Sequence, residues 1–282
     1  MKLVKDFYKD TPFNFTEEID FYTKSIKDIN QVLEYKDLHN LLRKRTRFTR
    51  KKLISSVIEF GCGTGWLSNS LAYYYGKEIK GIDFTEKAHG IAKSVSSKLK
   101  LLNTFESCDI FDYKDTKKYD LVISLGVLHH TKDCEAAFKS ISKFVKPGGY
   151  LYVGLYHLYG RRPMLKYLKS HARWHGEESA YNLFKKMRQD SESGEHSYSW
   201  FRDQVLHPHE TQHTLIEVNK WLNQISFTLK SCSINKYKNL DKVSLQSLGT
   251  IEKQLEAYSF KENVENLSFN PGYFTICAEN SL

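Results

Sequence analysis

Val57-Ile58-Glu59-Phe60-Gly61-Cys62-Gly63-Thr64-Gly65-Trp66-Leu67 joins an apolar, strand-like run to a glycine-rich turn. Leu53 to Phe60 is rich in β-branched and aromatic residues, as a buried parallel strand requires. Three glycines then fall within five residues, and an apolar, helix-compatible run starts at Trp66. Glycine tolerates positive φ and leaves no Cβ in the way of a ligand, while a helix start presents free N–H groups. Strand, bare turn and helix in this order form a nucleotide-type ligand site at the carboxyl end of a sheet. The spacing is Glu-x-Gly-x-Gly-x-Gly, so the third glycine arrives one residue too early for the dinucleotide fingerprint Gly-x-Gly-x-x-Gly. Glu59, two residues before the first glycine, is a poor neighbour for a pyrophosphate and suits a ligand that carries a cation.

The composition narrows the field. A chain of 282 residues is long enough for one large α/β domain with additions. No apolar run approaches the ~20 residues needed to span a bilayer, and MKLVKDFYKDTPF at the N-terminus lacks the apolar stretch of a signal peptide. Cys62, Cys108, Cys134, Cys232 and Cys277 form no CxxC pair, which points to reduced thiols and a cytoplasmic protein. The net charge of +9 is partly local, in Arg43, Lys44, Arg45, Arg47, Arg50, Lys51 and Lys52. That 43–52 cluster could follow the phosphates of an RNA, or it could be a solvated helix end whose cations favour the helix dipole.

Along the chain, residues 1–50 read as an N-terminal helical extension. Ile19, Tyr22, Ile26, Ile29 and Leu33 recur at helical spacing. The aromatic, proline-broken FYKDTPFNF before them reads as a hydrophobic anchor on the core, with a pocket-covering arm as the alternative. From residue 51 to 282 the chain reads as one domain. Strands are expected at Leu53–Phe60, Ile79–Ile82, Thr104–Ser107, Tyr119–Leu125 and Tyr150–Tyr156, each reached by a helix-length crossover. The implied fold class is α/β, a doubly wound parallel sheet. Beyond Tyr156 the rhythm breaks. Residues 157–213 read as a substrate-side insertion, with helical pieces near Met164–His171 and Ser179–Arg188 and a mobile loop at Gln189–Ser199. A helix over Thr214–Gln224, a strand at Phe227–Ile234, and a last strand at Tyr273–Ala278 complete the chain. A second insertion, 235–272, is expected to hold a helix near Ser244–Tyr258.

Asp83 closes the second strand, where an acid can accept hydrogen bonds from ribose hydroxyls. Asp109-Ile110 follows the third strand. The string Tyr119-Asp-Leu-Val-Ile-Ser-Leu-Gly-Val-Leu-His129-His130-Thr follows the pattern of a fourth strand and its exit loop, and Pro147-Gly-Gly-Tyr150 turns into the fifth. With the Glu59–Gly65 turn, these motifs resemble the class I S-adenosylmethionine-dependent methyltransferases, over residues 53–156. The resemblance implies a Rossmann-like, seven-stranded, mostly parallel sheet with helical insertions after strand 5 and between strands 6 and 7. It also implies S-adenosylmethionine (SAM) as methyl donor and S-adenosylhomocysteine (SAH) as product. Glu59, Gly61, Cys62, Gly63 and Gly65 would surround the donor, with Asp83 on the ribose. Phe84 and Ile110 would lie against the base, Asp109 would meet the adenine amino group, and Ser124 and Leu125 would touch the methionine end. His129 or His130 could serve as general base, or could only cap or pack.

Tyr156, His157 and Arg161 are substrate-facing candidates that could equally pack inserted helices. His209-Glu-Thr-Gln-His213 fits the zinc pattern H-E-x-x-H, with His207 close by. Pro208 puts His209 at a helix start and not inside one, so Asp203, His207, His209 and His213 read as substrate-orienting residues of a loop and helix start, with no metal. An Asn-Pro-Pro-Tyr motif, a Pro-Cys after strand four and clustered cysteines are all missing, which disfavours DNA-adenine, DNA-cytosine and arsenite methylation. Three function classes remain: a small-molecule methyltransferase acting on an O or N acceptor, an RNA methyltransferase, and a non-catalytic SAM- or partner-binding protein.

Overall fold

Four short helices precede the first strand in the computed structural model, which describes residues 2–43, 54–189, 194–237, 240 and 245–282. They are α1 (Lys2–Lys9), α2 (Ile19–Ile26), α3 (Ile29–Leu33) and α4 (Lys36–Leu42). The stripe expected to form one helix is split. Asp28 accepts from the Asn30 N–H and caps a new helix, so Tyr22 and Ile26 are buried while Ile29 and Leu33 remain 40% and 36% exposed. Of the basic cluster at 43–52, only Arg43 is among the described residues.

The βα alternation then runs as the β-branched runs and apolar stripes dictate. It comprises β1 (Val57–Phe60), α5 (Trp66–Tyr75), β2 (Ile79–Asp83), α6 (Glu86–Lys98), β3 (Thr104–Ser107), β4 (Tyr119–Leu125), α7 (Cys134–Ser142) and β5 (Val145–Tyr156). After it come α8 (Leu158–His175), α9 (Glu177–Arg188), α10 (Glu195–Phe201), α11 (Leu215–Gln224), β6 (Phe227–Cys232), α12 (Leu245–Phe260) and β7 (Tyr273–Asn280). The seven strands form one sheet in the order β3-β2-β1-β4-β5-β7-β6. β1 to β5 are mutually parallel, and β7 runs antiparallel to both β5 and β6. The mostly parallel sheet therefore has one reversed strand, β7, slotted between two forward ones.

Several boundaries differ from the sequence reading. Ser55 and Ser56 stay outside β1 because their N–H and hydroxyl groups all donate to Asp120 Oδ2, at 2.7–3.1 Å. Pro147-Gly148-Gly149 does not precede the fifth strand but lies within it. The register against β4 jumps from Tyr119↔Val145 to Leu121↔Tyr150, and Gly148 takes φ +62°. Within the expected Gln189–Ser199 loop, residues 194–199 are ordered and 195–199 belong to α10, while 190–193 lie outside the described residues. Helix wins there because Ser197, Ser199 and Phe201 are buried, Phe201 against Phe184 and Tyr181.

The sheet is packed on both faces, so its central strands are buried throughout. On one face Phe138, Ile141, Trp221 and Leu222 of α7 and α11 meet Ile58, Val122 and Val153. On the other, Leu67 and Leu71 of α5 meet Leu38, Leu121 and Tyr152. A satellite cluster of Met164, Leu168, Phe184 and Phe201 holds α8, α9 and α10 together beyond the carboxyl ends of the strands, and α12 packs along α8. Among the described residues no helix is long and apolar enough to cross a membrane.

Asp120 ties the start of β1 to the β4–β5 ladder. Burial alone would raise its carboxyl pKa, but donors from Ser55, Lys146 and Ser56 outweigh this and hold it well below the usual carboxylate range. A depressed folded-state pKa contributes stability above the ordinary carboxylate pKa, which is lost as the pH falls through that of the folded state. Asp120→Asn should thus cost about 2 kcal/mol at pH 7. Urea denaturation of both proteins at pH 7 and near pH 3 should show the difference shrinking in acid, and an equal difference at both would contradict this role.

Candidate functional site

The turn after β1 is built from left-handed glycines. Gly61, Gly63 and Gly65 have φ of +73°, +50° and +75°, and the Gly61 and Cys62 N–H groups both donate to the Ile82 carbonyl of β2, at 2.7 and 3.1 Å. A Cβ on Gly61 would lie 2.3 Å from Val127 Cγ2, and one on Gly65 would lie 2.6 Å from Ala92 Cβ. A Cβ on Gly63 would meet nothing within 4 Å. The outer glycines therefore let the loop after β4 and helix α6 pack against the turn. The middle one faces a cavity of about 850 Å³ at the carboxyl ends of the strands, where ligands bind in open α/β sheets.

Two carboxyl groups flank the turn inside this cavity. Glu59 is buried, accepts from Ser68 Oγ at 2.5 Å, and has its pKa pushed up to about 7, chiefly by burial, with Ser68 opposing and Asp83 adding. Asp83 is also raised by burial, against the backbone donors Thr85 and Gly63. Its two oxygens accept from Gly63 N at 2.9 Å and Thr85 N at 2.8 Å, so it both braces the turn and faces the cavity. Phe84, Asp109, Ile110 and Cys62 complete this end of the wall. Asp109 accepts from Phe111 N at 3.1 Å and pairs with Lys5 Nζ at 3.2 Å.

The end of β4 contributes Leu125, Gly126 and Val127 to the wall. Ser124 lies outside it, fully buried and donating to the Phe60 carbonyl at 3.0 Å. The two histidines that follow separate. His129 is fully buried outside the wall, its ring 4.0 Å from that of Tyr156 and neither ring nitrogen hydrogen-bonded. Burial holds it strongly neutral. His130 lines the cavity, with Nδ1 3.0 Å from the His209 carbonyl. A carbonyl can only accept, so Nδ1 carries the proton and Nε2 the lone pair. That Nε2 is buried and has no partner, and burial pushes the ring down to about 4.

The residues after β5 divide as well. Tyr156 stays in the wall, its hydroxyl accepting from Gln204 Nε2 at 2.7 Å. His157 caps α8 through Gly160 N at 3.1 Å and meets Glu252 at 2.8 Å on its other nitrogen. Arg161 is fully buried: it donates to both Glu210 oxygens at 3.1 and 2.8 Å and to Gln204, and lies 3.7 Å over the Tyr156 ring. Both His157 and Arg161 are thus outside the cavity wall.

His209–His213 is not a helix start. The segment is extended, His213 bridges to His157, and α11 begins at Leu215 behind the Thr214 cap. It grips the loop after β4: His209 Nε2 meets the Thr131 carbonyl at 2.8 Å, and Thr211 N donates to the His129 carbonyl at 2.8 Å. His213 is engaged by Glu217 and Thr211. His207, pushed down to about 3 by burial, accepts from His209 N at 3.1 Å and stacks on His130 at 3.8 Å. Extended backbone points His209 and His213 to separate partners, and among the described residues no group of three His, Cys, Asp or Glu side chains could hold a metal. His207, His209 and His213 are outside the cavity wall, and the segment meets that wall through Thr131 and through His130, whose tautomer it sets.

The cavity also takes in residues that motif reading does not reach. Tyr8, Pro12, Phe13 and Asn14 of the N-terminal arm line it, so FYKDTPFNF is a covering arm and not only an anchor. Trp200 and Gln204 come from the segment after α9 and Tyr273 from β7, and beside them lies Asp203, which the sequence already places on the substrate side. The aromatic density of the arm was the one available signal. Asp203 is buried, accepts from Tyr8 Oη at 2.5 Å and from Gln204 Nε2 at 2.9 Å, and is raised by burial.

Arg161 carries the stability of this region. Burial alone would raise the Glu210 carboxyl, but Arg161 holds it below its usual range. Arg161→Ala would leave Glu210 buried and uncompensated, at a cost of about 3–5 kcal/mol, read as a shift in the urea midpoint. A loss under about 1 kcal/mol would show that Glu210 does not depend on it.

A family described as "Methyltransferase domain" matches residues 54–220, more than half of the chain. The chain is 27% identical over 185 residues to the ubiquinone biosynthesis O-methyltransferase of Coxiella burnetii, covering 64% of this chain and 71% of that protein. Among solved structures it superposes on PKMT2 from Rickettsia typhi with a TM-score of 0.56 at 14% identity. That match covers 80% of this chain and about half (48%) of that longer one. It matches magnesium protoporphyrin IX methyltransferase from Synechocystis PCC 6803 with bound SAM at TM-score 0.54 and 16% identity, over 99% and 96% of the two chains. At such identities these structures share the fold. The strand order, the glycine turn with its open face at Gly63, the buried Glu59 and the family match agree: the chain belongs to the methyltransferase-domain family and is a class I, SAM-dependent methyltransferase.

Proposed function

We propose that the chain methylates a hydroxyl group of a small-molecule acceptor, with His130 taking the proton. The observation that carries this reading is the His130 Nε2 lone pair, buried at the cavity wall and without a partner. An orphaned buried acceptor is costly unless a ligand donates to it. The name of the Coxiella relative, an O-methyltransferase, supports a hydroxyl acceptor. Tyr8, Phe13 and Trp200 over the cavity support a small molecule in preference to a polymer strand. Five free cysteines suit a reducing cytoplasm.

SAM supplies a methyl group on a sulfonium that is already a strong electrophile. The chain's own residues then have three tasks. Glu59 offers a carboxylate to the ammonium, and Asp83 offers acceptor oxygens to the ribose hydroxyls. Phe84 and Ile110 flank the base, with Asp109 for its amino group. Tyr156, Trp200 and the arm keep water out and hold the acceptor in line. His130 removes the acceptor's proton onto Nε2, while the His209 carbonyl keeps the Nδ1 proton in place.

Labelled methyl from SAM should appear in a small-molecule extract fraction, in an alkali-stable linkage. His130→Gln should lower kcat by about 10²–10⁴-fold with SAH affinity nearly unchanged. Because His130 is pushed down to about 4, its base form is fully present above that pH. The rate should therefore not fall between pH 8 and pH 6 on its account. A His130→Gln enzyme with full kcat would remove the base from this residue.

A further inference from the structure

The cavity wall is acidic, although the chain as a whole carries a net charge of +9. Among the described residues, Glu34, Glu59, Asp83, Asp109 and Asp203 line it against two cationic side chains, Lys5 and Arg188. A cleft lined by one sign of charge concentrates ligands of the other. The proposed function gives Glu59, Asp83 and Asp109 to the donor, and Glu34 is exposed to solvent. Asp203 is left over, and it is buried.

No donor within reach of Asp203 is charged. Its Oδ1 accepts from the Tyr8 hydroxyl and its Oδ2 from Gln204 Nε2 at 2.9 Å, with the Tyr156 hydroxyl 3.5 Å away. Arg161 and His207 act on it from a distance, yet burial still holds its carboxyl above the ordinary range. Arg161 is engaged by both Glu210 oxygens and by Gln204, and burial keeps His207 neutral. Arg188 lies over the rings of Trp200 and Phe184, 4.3 and 5.7 Å from their centres.

Aromatic rings share this wall. Tyr8, Phe13, Tyr156 and Trp200 all line the cavity, the rings of Phe13 and Trp200 4.7 Å apart. A carboxylate among aromatic rings is the chemistry that recognises an ammonium group. A second, independent feature also asks for a ligand: the buried His130 Nε2, which has no partner. One side chain links the two. The Tyr156 ring centre is 5.6 Å from that of His130, and its hydroxyl is 3.5 Å from Asp203 Oδ2. We propose that the acceptor is an amino-alcohol or aminophenol, whose hydroxyl donates to His130 Nε2 while its protonated amine pairs with Asp203. Asp203 is then a specificity residue with no part in the proton transfer, and it repels an acceptor that carries a carboxylate or phosphate. This deepens, and rests on, the hydroxyl-acceptor reading of the cavity.

Calorimetric titration of the full chain saturated with SAH tests it, using three phenols of matched shape: tyramine, neutral para-ethylphenol and anionic para-hydroxyphenylpropionate. Tyramine should bind about tenfold or more tighter than para-ethylphenol, and the propionate should bind most weakly. Asp203→Asn keeps the side-chain shape and an oxygen for the Tyr8 hydroxyl. It should bring tyramine to within about twofold of para-ethylphenol and leave SAH affinity nearly unchanged, whereas Asp203→Glu should keep the order of the three. Equal affinities in the unmodified protein, a preference for the propionate, or a tyramine preference that survives Asp203→Asn would each overturn the proposal. Full kcat in His130→Gln would instead strike the base reading beneath it and leave the tyramine preference standing.

Discussion

The structure depends on a left-handed glycine turn held between two carboxyl groups, the buried Glu59 and the half-buried Asp83. Gly61 and Gly65 allow the loop after β4 and helix α6 to approach the turn where any Cβ would collide with Val127 or Ala92. That leaves Gly63 as the open face, braced from beneath by Asp83. Glu59 sits behind with a single hydroxyl partner, Ser68, and a carboxyl group that burial holds near neutrality. A buried carboxyl group whose donors come from Ser68 alone is expensive, and we propose that a cationic ligand offsets that cost. The choice of SAM over a dinucleotide follows from this charge arrangement as much as from the glycine spacing.

The acceptor side follows another logic. His130 is set by a segment some eighty residues away, because the extended His209–His213 stretch zips onto the loop after β4. The His209 carbonyl fixes the tautomer, and Arg161 with Glu210 anchors the stretch from the far side. Histidines that look like a metal set in sequence are divided among separate partners, the Thr131 carbonyl for His209 and the Thr211 and Glu217 side chains for His213. The pattern H-E-x-x-H needs a helix to bring its ends to one face, and extended backbone sends them apart.

The donor half was legible from sequence because strand-end motifs carry their own coordinates. Val57–Phe60, Asp83 and Asp109 end consecutive parallel strands, and parallel strands put their carboxyl ends on one edge. Ser124 and His129 were harder. Alternation sends neighbouring side chains to opposite faces, so Ser124 turns to the Phe60 carbonyl while Leu125 faces the cavity. Of the paired histidines only His130 reaches the wall. Trp200 and Tyr273 were out of reach, and Tyr8 came only within an arm whose pocket-covering role was the alternative reading, since contacts between residues far apart in the chain leave no local periodicity. The break between α2 and α3 was missed because a capping aspartate overrode an unbroken apolar stripe.

We propose that Glu59 is the counter-charge for a cationic ligand in the donor cavity. Calorimetric titration of the full chain with SAH at pH 6 and pH 8 measures this. With its carboxyl group near 7 in the free protein, Glu59 must lose its proton to meet the SAH ammonium. Affinity should then rise by about tenfold from pH 6 to pH 8, and Glu59→Gln should bind more weakly with that rise abolished. Equal affinity of the unmodified protein at both pH values, or the same rise in Glu59→Gln, would contradict the account.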